Sequence, residues 1–488
     1  MVSRRTSMTP GVRRGSRAVW PAAALLVVVA LSLHRPAAAQ SLQEGVPAQI
    51  EALLQAEESF PLPVQRVRTA LTRYYVDDKK PLLWLATGRM DGLLARMKQA
   101  ATDGLKSGDY PVAHLEELKV AAASTDARSR AVIELWFSAF FLKYASDLKV
   151  GRFVPRKIDP ELYWQSKVID EAAALTRLGG YDDPRRFYDD WQPQNPDYLA
   201  LRQALAVYSK IAADGGWPRL PPGEVLKPGM SDPRVPQLKA RLAVTGEFAS
   251  APQSGEPELY EGTVVDAVKR FQRRHGLDPD GVIGTRTLIA LNIPVEQRLR
   301  QIVLSMERWR WMPEDLGAHY VLVNIAGFQL RRIEQGKLKE TMRVIVGKPY
   351  RRTPVFSDTM KYVEINPFWT VPYSIATRDK LPVLQKNPAS LVGSGFEAFN
   401  GSRKISMTAV DWSRYSRGNF PFTLRQKPGP KNALGRVKFM FPNKFNVYLH
   451  DTPQRGLFEK TTRAFSSGCI RLHRPIDLAD QVLSQESG

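Results

Sequence analysis

The period of the apolar pattern changes partway along this chain, and the change limits the folds open to it. From Ser41 to about Pro222, Ile50, Leu53 and Leu54, then Val64, Val67 and Leu71, and later Ile133, Trp136, Phe137, Phe140 and Phe141 recur at three- and four-residue steps, the spacing of one helical face. Pro81, Pro111, Pro155 and the pair Gly215 and Gly216 interrupt it. From about Arg298 the pattern differs. Stretches 320–325, 342–347 and 362–366 alternate or run apolar and are rich in β-branched residues, which predicts strands. Helices first and strands last describe a multidomain α+β chain, and 488 residues suit about three domains better than one core.

A second composition shift at Leu220, Pro221, Pro222 and Gly223 separates the helical region 41–222 from a small unit at 226–295. There Val235, Leu238 and Leu242 form one helical face and Val264, Val268 and Phe271 another; Asp278, Pro279, Asp280 and Gly281 make a turn before a third short helix with Leu288 and Leu291. His275 ends the second helix, where it reads as a cap on the dipole. The strand-rich part, 298–483, is broken between about 373 and 437, where the strand signal lapses. Arg378, Lys380, Lys386, Arg403, Arg414, Arg417 and Arg425 are interleaved there with aromatics and prolines. A long insertion of this kind in a compact domain reads as a lid or binding element, or else as a solvated basic surface.

The chain has a single cysteine, Cys469, which can form no internal disulfide; it is a small buried hydrophobe or a reactive thiol. Ser466, Ser467 and Gly468 precede it. That turn brings backbone close to a ligand and aims N–H groups at a developing oxyanion. Upstream, Phe445 to Thr452 reads as a strand with Val447 and Leu449 on one face and Asn446, Tyr448 and His450 on the other. An imidazole within reach of the thiol lowers its pKa and takes its proton, and Tyr448 can donate to the oxyanion. The side chain of Asp451, next in the strand, points to the opposite face, so a backbone carbonyl is the expected orienter of His450. Arg471 shares the Cys469 face if a strand resumes there, and His473 continues that face as a rival base.

His-Asp-Thr at 450–452 followed by Ser-Ser-Gly-Cys-Ile-Arg-Leu at 466–472 resembles the signature of the L,D-transpeptidases, the cysteine enzymes that cross-link peptidoglycan stem peptides. Most of that family carries His-Gly-Thr and Ser-His-Gly-Cys. Asp451 in place of glycine and Ser467 in place of the second histidine resemble the large periplasmic Gram-negative branch. That branch implies a helical scaffold domain, to which 81–84 and 103–110 are similar, and a peptidoglycan-binding-like module. The run 268–277 with Asp280, Gly281 and Gly284 resembles that module. The resemblance also implies a mostly β catalytic domain with a cap over Cys469. Its site residues would be Cys469, His450, Tyr448 and Gly468 for catalysis, with Arg471, Ser467, Asn366 and Trp369 meeting substrate. The last two lie in an Asn-Pro-Phe-Trp-Thr-Val-Pro run that, like Arg351, Arg352, Thr353 and Pro354, resembles segments near the substrate groove. The implied partners are stem peptides and, as alternative acceptors, outer-membrane proteins or lipoproteins. No cofactor is implied.

The amino terminus reads as a targeting sequence. Arg4, Arg5, Arg13, Arg14 and Arg17 precede an apolar run from Ala22 to Leu33 and an A-x-A-like site at 37–39. That run is short for a spanning helix, so export with cleavage near Ala39 is expected over a retained anchor. The formal charge of +21 is only partly due to this segment and suggests a polyanionic surface, the wall or lipid. Nucleic acid is disfavoured, since neither zinc spacing nor an RNA-recognition signature accompanies the charge. With six histidines, none paired on one element, and one cysteine, a metal shell cannot be assembled. Two other classes compete: a wall cysteine peptidase or amidase, in which the cysteine commonly precedes the histidine, and a non-catalytic wall-binding scaffold that needs no Cys469.

Overall fold

The computed structural model describes residues 37–484 apart from 57–61, 86–87, 124–125 and 250–255. The basic and apolar part of the expected targeting segment lies outside the described residues. Among those described, no helix is long and apolar enough to cross a membrane.

The helical region is built around the helix Ala127–Val150, which starts where the Asp126 carboxylate accepts the Arg128 and Ser129 N–H groups. Ile133, Phe137, Phe141 and Leu148 are buried with Leu93, Leu175 and Phe187 in one core. Glu134, at the middle of that helix, is fully buried. It accepts the Leu83, Trp84 and Leu85 N–H groups and the Tyr75 hydroxyl, and burial still pushes its pKa up against these donors. Trp84 packs against Phe137 in the core and donates to Ser138 at 2.9 Å. The helix Val295–Trp311 leads to the strand-rich part. Its buried Arg310 donates to the Leu148 carbonyl and the Tyr198 hydroxyl, tying it to the helical region.

Between these lies a three-helix unit, Val235–Val244, Gly262–Arg274 and Thr285–Leu291, with its own core of Leu238, Val268, Phe271 and Leu291. His275 caps the second helix differently from the expectation. Its ring stacks on Phe271 at 3.9 Å with Nδ1 2.9 Å from the Phe271 carbonyl, and burial pulls its pKa down to about 4. It therefore caps as a neutral donor, not as a charge on the dipole.

The final part contains β1 (His319–Asn324), β2 (Gln329–Glu334), β3 (Lys337–Gly347), β4 (Tyr362–Ile365), β5 (Trp369–Thr370), β6 (Phe396–Asn400), β7 (Arg403–Ile405), β8 (Phe422–Gln426), β9 (Val437–Met440), β10 (Leu449–His450), β11 (Ala464–Ser466) and β12 (Ile470–Leu472). The main sheet runs β1-β2-β3-β12-β10-β9-β4, with β11 also paired to β3. Val346, Phe439, Leu449, Ile470 and Leu472 build its core with Leu478 of the helix Pro475–Leu483. The stretch 373–437 is a correction to the sequence reading: it is not strandless. With β5 it forms a second sheet, β5-β8-β6-β7, and its own core of Trp369, Trp412, Phe420 and Leu424. Several of its cations are spent internally, since Glu397 meets Lys404, Arg425 and Lys427.

Candidate active site

The strand carrying His450 is shorter than its alternation predicts. Asn443 accepts the Phe445 N–H and donates to the Phe441 and Val447 carbonyls, a turn that leaves Asn446 at φ 52°; only Leu449 and His450 extend as strand. The faces are nevertheless as expected. Val447 and Leu449 are buried, and the Tyr448 and His450 rings meet edge to face at 5.6 Å.

Register brings distant residues beside His450. It pairs with Arg471 in the parallel β10–β12 ladder and with Lys438 in the antiparallel β10–β9 ladder, and Lys438 pairs with Glu364. These four side chains share one face, opposite the core. His450 is 4% exposed, and its Nδ1 lies 2.5 Å from the Asp451 carbonyl. A backbone carbonyl thus orients the ring, holding the proton on Nδ1 and leaving Nε2 as the base. Burial, together with the Arg471 and Lys438 cations, pulls the His450 pKa down to about 3.

The Asp451 side chain points away, as expected. It accepts the Arg436 N–H at 3.0 Å and an Arg455 N–H at 3.3 Å, tying the end of the insertion to the His450 strand. Gly435 makes room for it: at φ 62°, a Cβ there would collide with the Asp451 carboxylate. Gly435→Ala is expected to lower stability by about 1–3 kcal/mol, read as a fall in melting temperature, and Asp451→Gly in the same chain should recover only the steric part.

Cys469 is half-buried on the loop between β11 and β12. Gly468 before it is buried at φ 124°, a conformation that favours glycine. The thiol donates to the Asn446 carbonyl at 3.7 Å, and the nearby Tyr448 backbone and hydroxyl favour its thiolate. Two expectations are corrected here. Among the described residues the resting thiol has no hydrogen bond to His450, and burial outweighs its polar neighbours and pushes its pKa up rather than down. The resting pair is a neutral thiol and a neutral imidazole.

Of the expected substrate residues, Trp369 is buried, with its ring edge to face on Phe396 at 6.0 Å in the core of the second sheet. Arg471 donates to Gln454 at 2.6 Å while its Nε is buried without a hydrogen-bond partner among the described residues. Ser467 is exposed and accepts from Arg351 at 3.0 Å; Arg351 also pairs with Asp379 of the insertion. Asn366 is exposed at φ 49° with its N–H on the Arg436 carbonyl, a turn position at the exit of β4. His473 packs its ring on Phe458 at 5.2 Å and lines, with Asp451 and Arg455, a cavity of about 440 Å³. A second cavity, of about 370 Å³, lies beside the Cys469 loop and is lined by Glu161, Tyr350, Arg351, Arg352, Arg378 and Ser467.

Three contributors gain their roles from contacts that only the fold makes. Lys438 sits in an unremarkable strand and matters only through register. Its Nζ lies 4.7 Å from the Tyr448 ring centre and 3.3 Å from Glu364. Ser466 accepts the Gly468 N–H at 3.1 Å and donates to the Cys469 carbonyl at 2.6 Å. Thr353 reaches the same loop from across the sheet end. Ser466 is the one with a sequence signal, as a hydroxyl opening the glycine turn.

The half-buried lone cysteine thus lies two residues before Arg471, the strand partner of the buried His450. Residues 318–486 match the L,D-transpeptidase catalytic domain family. Residues 69–205 match a scaffold domain and 231–291 a "Putative peptidoglycan binding domain". Over 190 residues the chain is 34% identical to the "Putative L,D-transpeptidase" of Haemophilus influenzae, a match covering 39% of this chain and 38% of that protein. The aligned region thus spans well under half of that relative. A solved L,D-transpeptidase from Xylanimonas cellulosilytica, 17% identical, covers 52% of this chain and 88% of its own with a TM-score of 0.14; a likeness that weak carries no argument.

Proposed function

We propose that this chain is an L,D-transpeptidase acting through a Cys469 acyl-enzyme on peptidoglycan, in the periplasm or cell wall. We further assign 41–222 to the scaffold, 226–295 to wall binding and 298–483 to catalysis, with 373–437 as the cap. The observation that carries the reading is the Nδ1 contact of His450 with the Asp451 carbonyl, which leaves Nε2 as a neutral base on the Cys469 side of the sheet.

In this reading the thiol turns from the Asn446 carbonyl towards His450 as a tetrapeptide enters. Neutral groups poised for concerted transfer suit a thiol whose burial opposes a resting thiolate. Sulfur attacks the carbonyl of the third residue, its proton passes to Nε2, and collapse breaks the C–N bond to the terminal D-alanine, whose amine takes that proton. A thioester remains. An acceptor amine then gives its proton to Nε2, attacks, and releases the thiol. The Cys469 N–H and the Tyr448 hydroxyl face the oxyanion; loss of one such donor costs about 10²–10³ in rate. The Gly468 N–H is not free for this role, because Ser466 holds it. Arg471, with its unpaired Nε, suits a substrate carboxylate.

The test is intact mass after incubation with a carbapenem, and separately with a disaccharide tetrapeptide, for wild type and Cys469→Ala. An adduct present only in wild type, with dimeric muropeptide from the tetrapeptide, is the expected result. Adduct with tripeptide and no dimer would direct the reading to carboxypeptidation or to a protein acceptor. A folded wild type with no adduct would overturn the acyl-enzyme and favour a wall-binding scaffold.

A further inference from the structure

We infer that Thr353 is a positioning residue for acyl transfer: its hydroxyl fixes the Gly468–Cys469 peptide so that the Cys469 N–H is aimed as the oxyanion donor. The inference rests on the Cys469 acyl-enzyme proposed above and adds the device that sets its electrostatics.

Thr353 is 5% exposed and uses its hydroxyl in both directions. Oγ1 accepts the N–H of Gly347, at the end of β3, at 2.9 Å and donates to the Gly468 carbonyl at 2.7 Å. With its acceptor side engaged by Gly347, the single O–H is committed to Gly468. A trans peptide points its C=O and N–H in opposite directions. Anchoring the Gly468 carbonyl therefore sets the direction of the Cys469 N–H, which no acceptor among the described residues takes. Gly468 at φ 124° has no Cβ to restrict its own rotation, so the plane depends on its hydrogen bonds. Ser466 holds the two flanking groups, the Gly468 N–H and the Cys469 carbonyl. Thr353 supplies the bond between them.

Thr353 is itself held from outside the catalytic sheet. The helical region contributes Glu161 and Tyr163, which exchange backbone bonds with Val355 at 3.0 and 2.8 Å, and Asp159, which takes Arg352 in two bonds of 3.1 and 2.9 Å. On the other side the Lys348 N–H donates to the Ser466 carbonyl at 3.0 Å. The 348–355 segment is thus clamped between the helical region and the Cys469 loop, and its Thr353 hydroxyl is presented from a fixed position.

Two reactions of the same thiol separate this role from a general structural one. Acylation by a carbapenem builds charge on an oxygen and needs the oxyanion donor; alkylation by iodoacetamide does not. Thr353→Val, nearly the same shape without the hydroxyl, is expected to slow carbapenem acylation by about 10- to 100-fold with alkylation unchanged, and Thr353→Ser is expected to restore most of the acylation rate. Acylation at the wild-type rate in the valine variant, a parallel fall in both reactions, or no recovery with serine would overturn the inference. If the valine variant does not fold, Thr353→Ala is read by the same pair of rates. A wild type that is alkylated at Cys469 but never acylated would remove the proposed function and this inference together. An acylating wild type matched by Thr353→Val removes this inference alone.

Discussion

Replacing His450 with glutamine is expected to slow acylation of Cys469 by about 10²–10⁴-fold while leaving the main sheet intact. Glutamine can place its amide donor near the Asp451 carbonyl, which His450 Nδ1 approaches to 2.5 Å, but it offers no base at the Nε2 position. Because burial pushes the thiol pKa up, little thiolate exists at neutral pH without help, and the whole cost of deprotonation falls on the missing imidazole. The measurement is the second-order rate of carbapenem adduct formation by intact mass. The same experiment run against pH has a definite sign. With the His450 pKa near 3, the base stays neutral through pH 5–7, so the wild-type rate should show no acid limb at the ordinary histidine pKa of 6.5. A limb centred there would place the working base elsewhere than His450. A variant within a few-fold of wild type would remove His450 from the chemistry.

The second large effect is on stability in acid. The unfolded chain binds a proton at His450 as the pH falls below 6.5, whereas the folded chain resists it until about pH 3. Stability from this group is therefore complete above pH 6.5 and is lost progressively as the pH falls from 6.5 towards 3. At roughly 1.4 kcal/mol per unit of pKa difference, the loss amounts to several kcal/mol at the acid end. His275, displaced to about 4 by burial, acts in the same direction within the three-helix unit. Urea unfolding of wild type and His450→Gln between pH 7 and 4 checks this. Near pH 7 the variant is expected to be the less stable chain, because it gives up a well-packed ring. Towards pH 4 the gap should narrow, since the variant has no proton to refuse. Parallel curves for the two chains would show that the ring is free to protonate in the fold.

Several parts of this arrangement are legible in the residues. The period change separates helices from strands, and the lone Cys469 with the glycine turn before it marks the loop on which the proposed acyl-enzyme would form. The alternation of Val447, Tyr448, Leu449 and His450 puts phenol and imidazole together because side chains alternate in extended backbone. The insertion was harder. Phe422 and Leu424 alternate into its core, but the strand is only Phe422–Gln426, and β6 interrupts its apolar residues with Glu397, whose neutralising partners Lys404, Arg425 and Lys427 lie elsewhere in the chain. Short strands that bury a paired charge give no clean period. The direction of the Cys469 pKa was also beyond reach, since the sequence supplies the polar neighbours but not the depth of burial that outweighs them.

Residue type and local backbone period are enough to separate the helical part from the strand-rich part, to single out Cys469 and His450 as the candidate pair, and to put His450 on the face it shares with Tyr448. The tertiary structure alone decided what surrounds them. Lys438 and Arg471 flank His450 through strand register, Asp451 fits because Gly435 has no side chain, and Thr353 reaches Gly468 across more than a hundred residues of chain. Those contacts depend on which strands become neighbours and at what offset, and pairing of that kind is set by the packing of the whole domain.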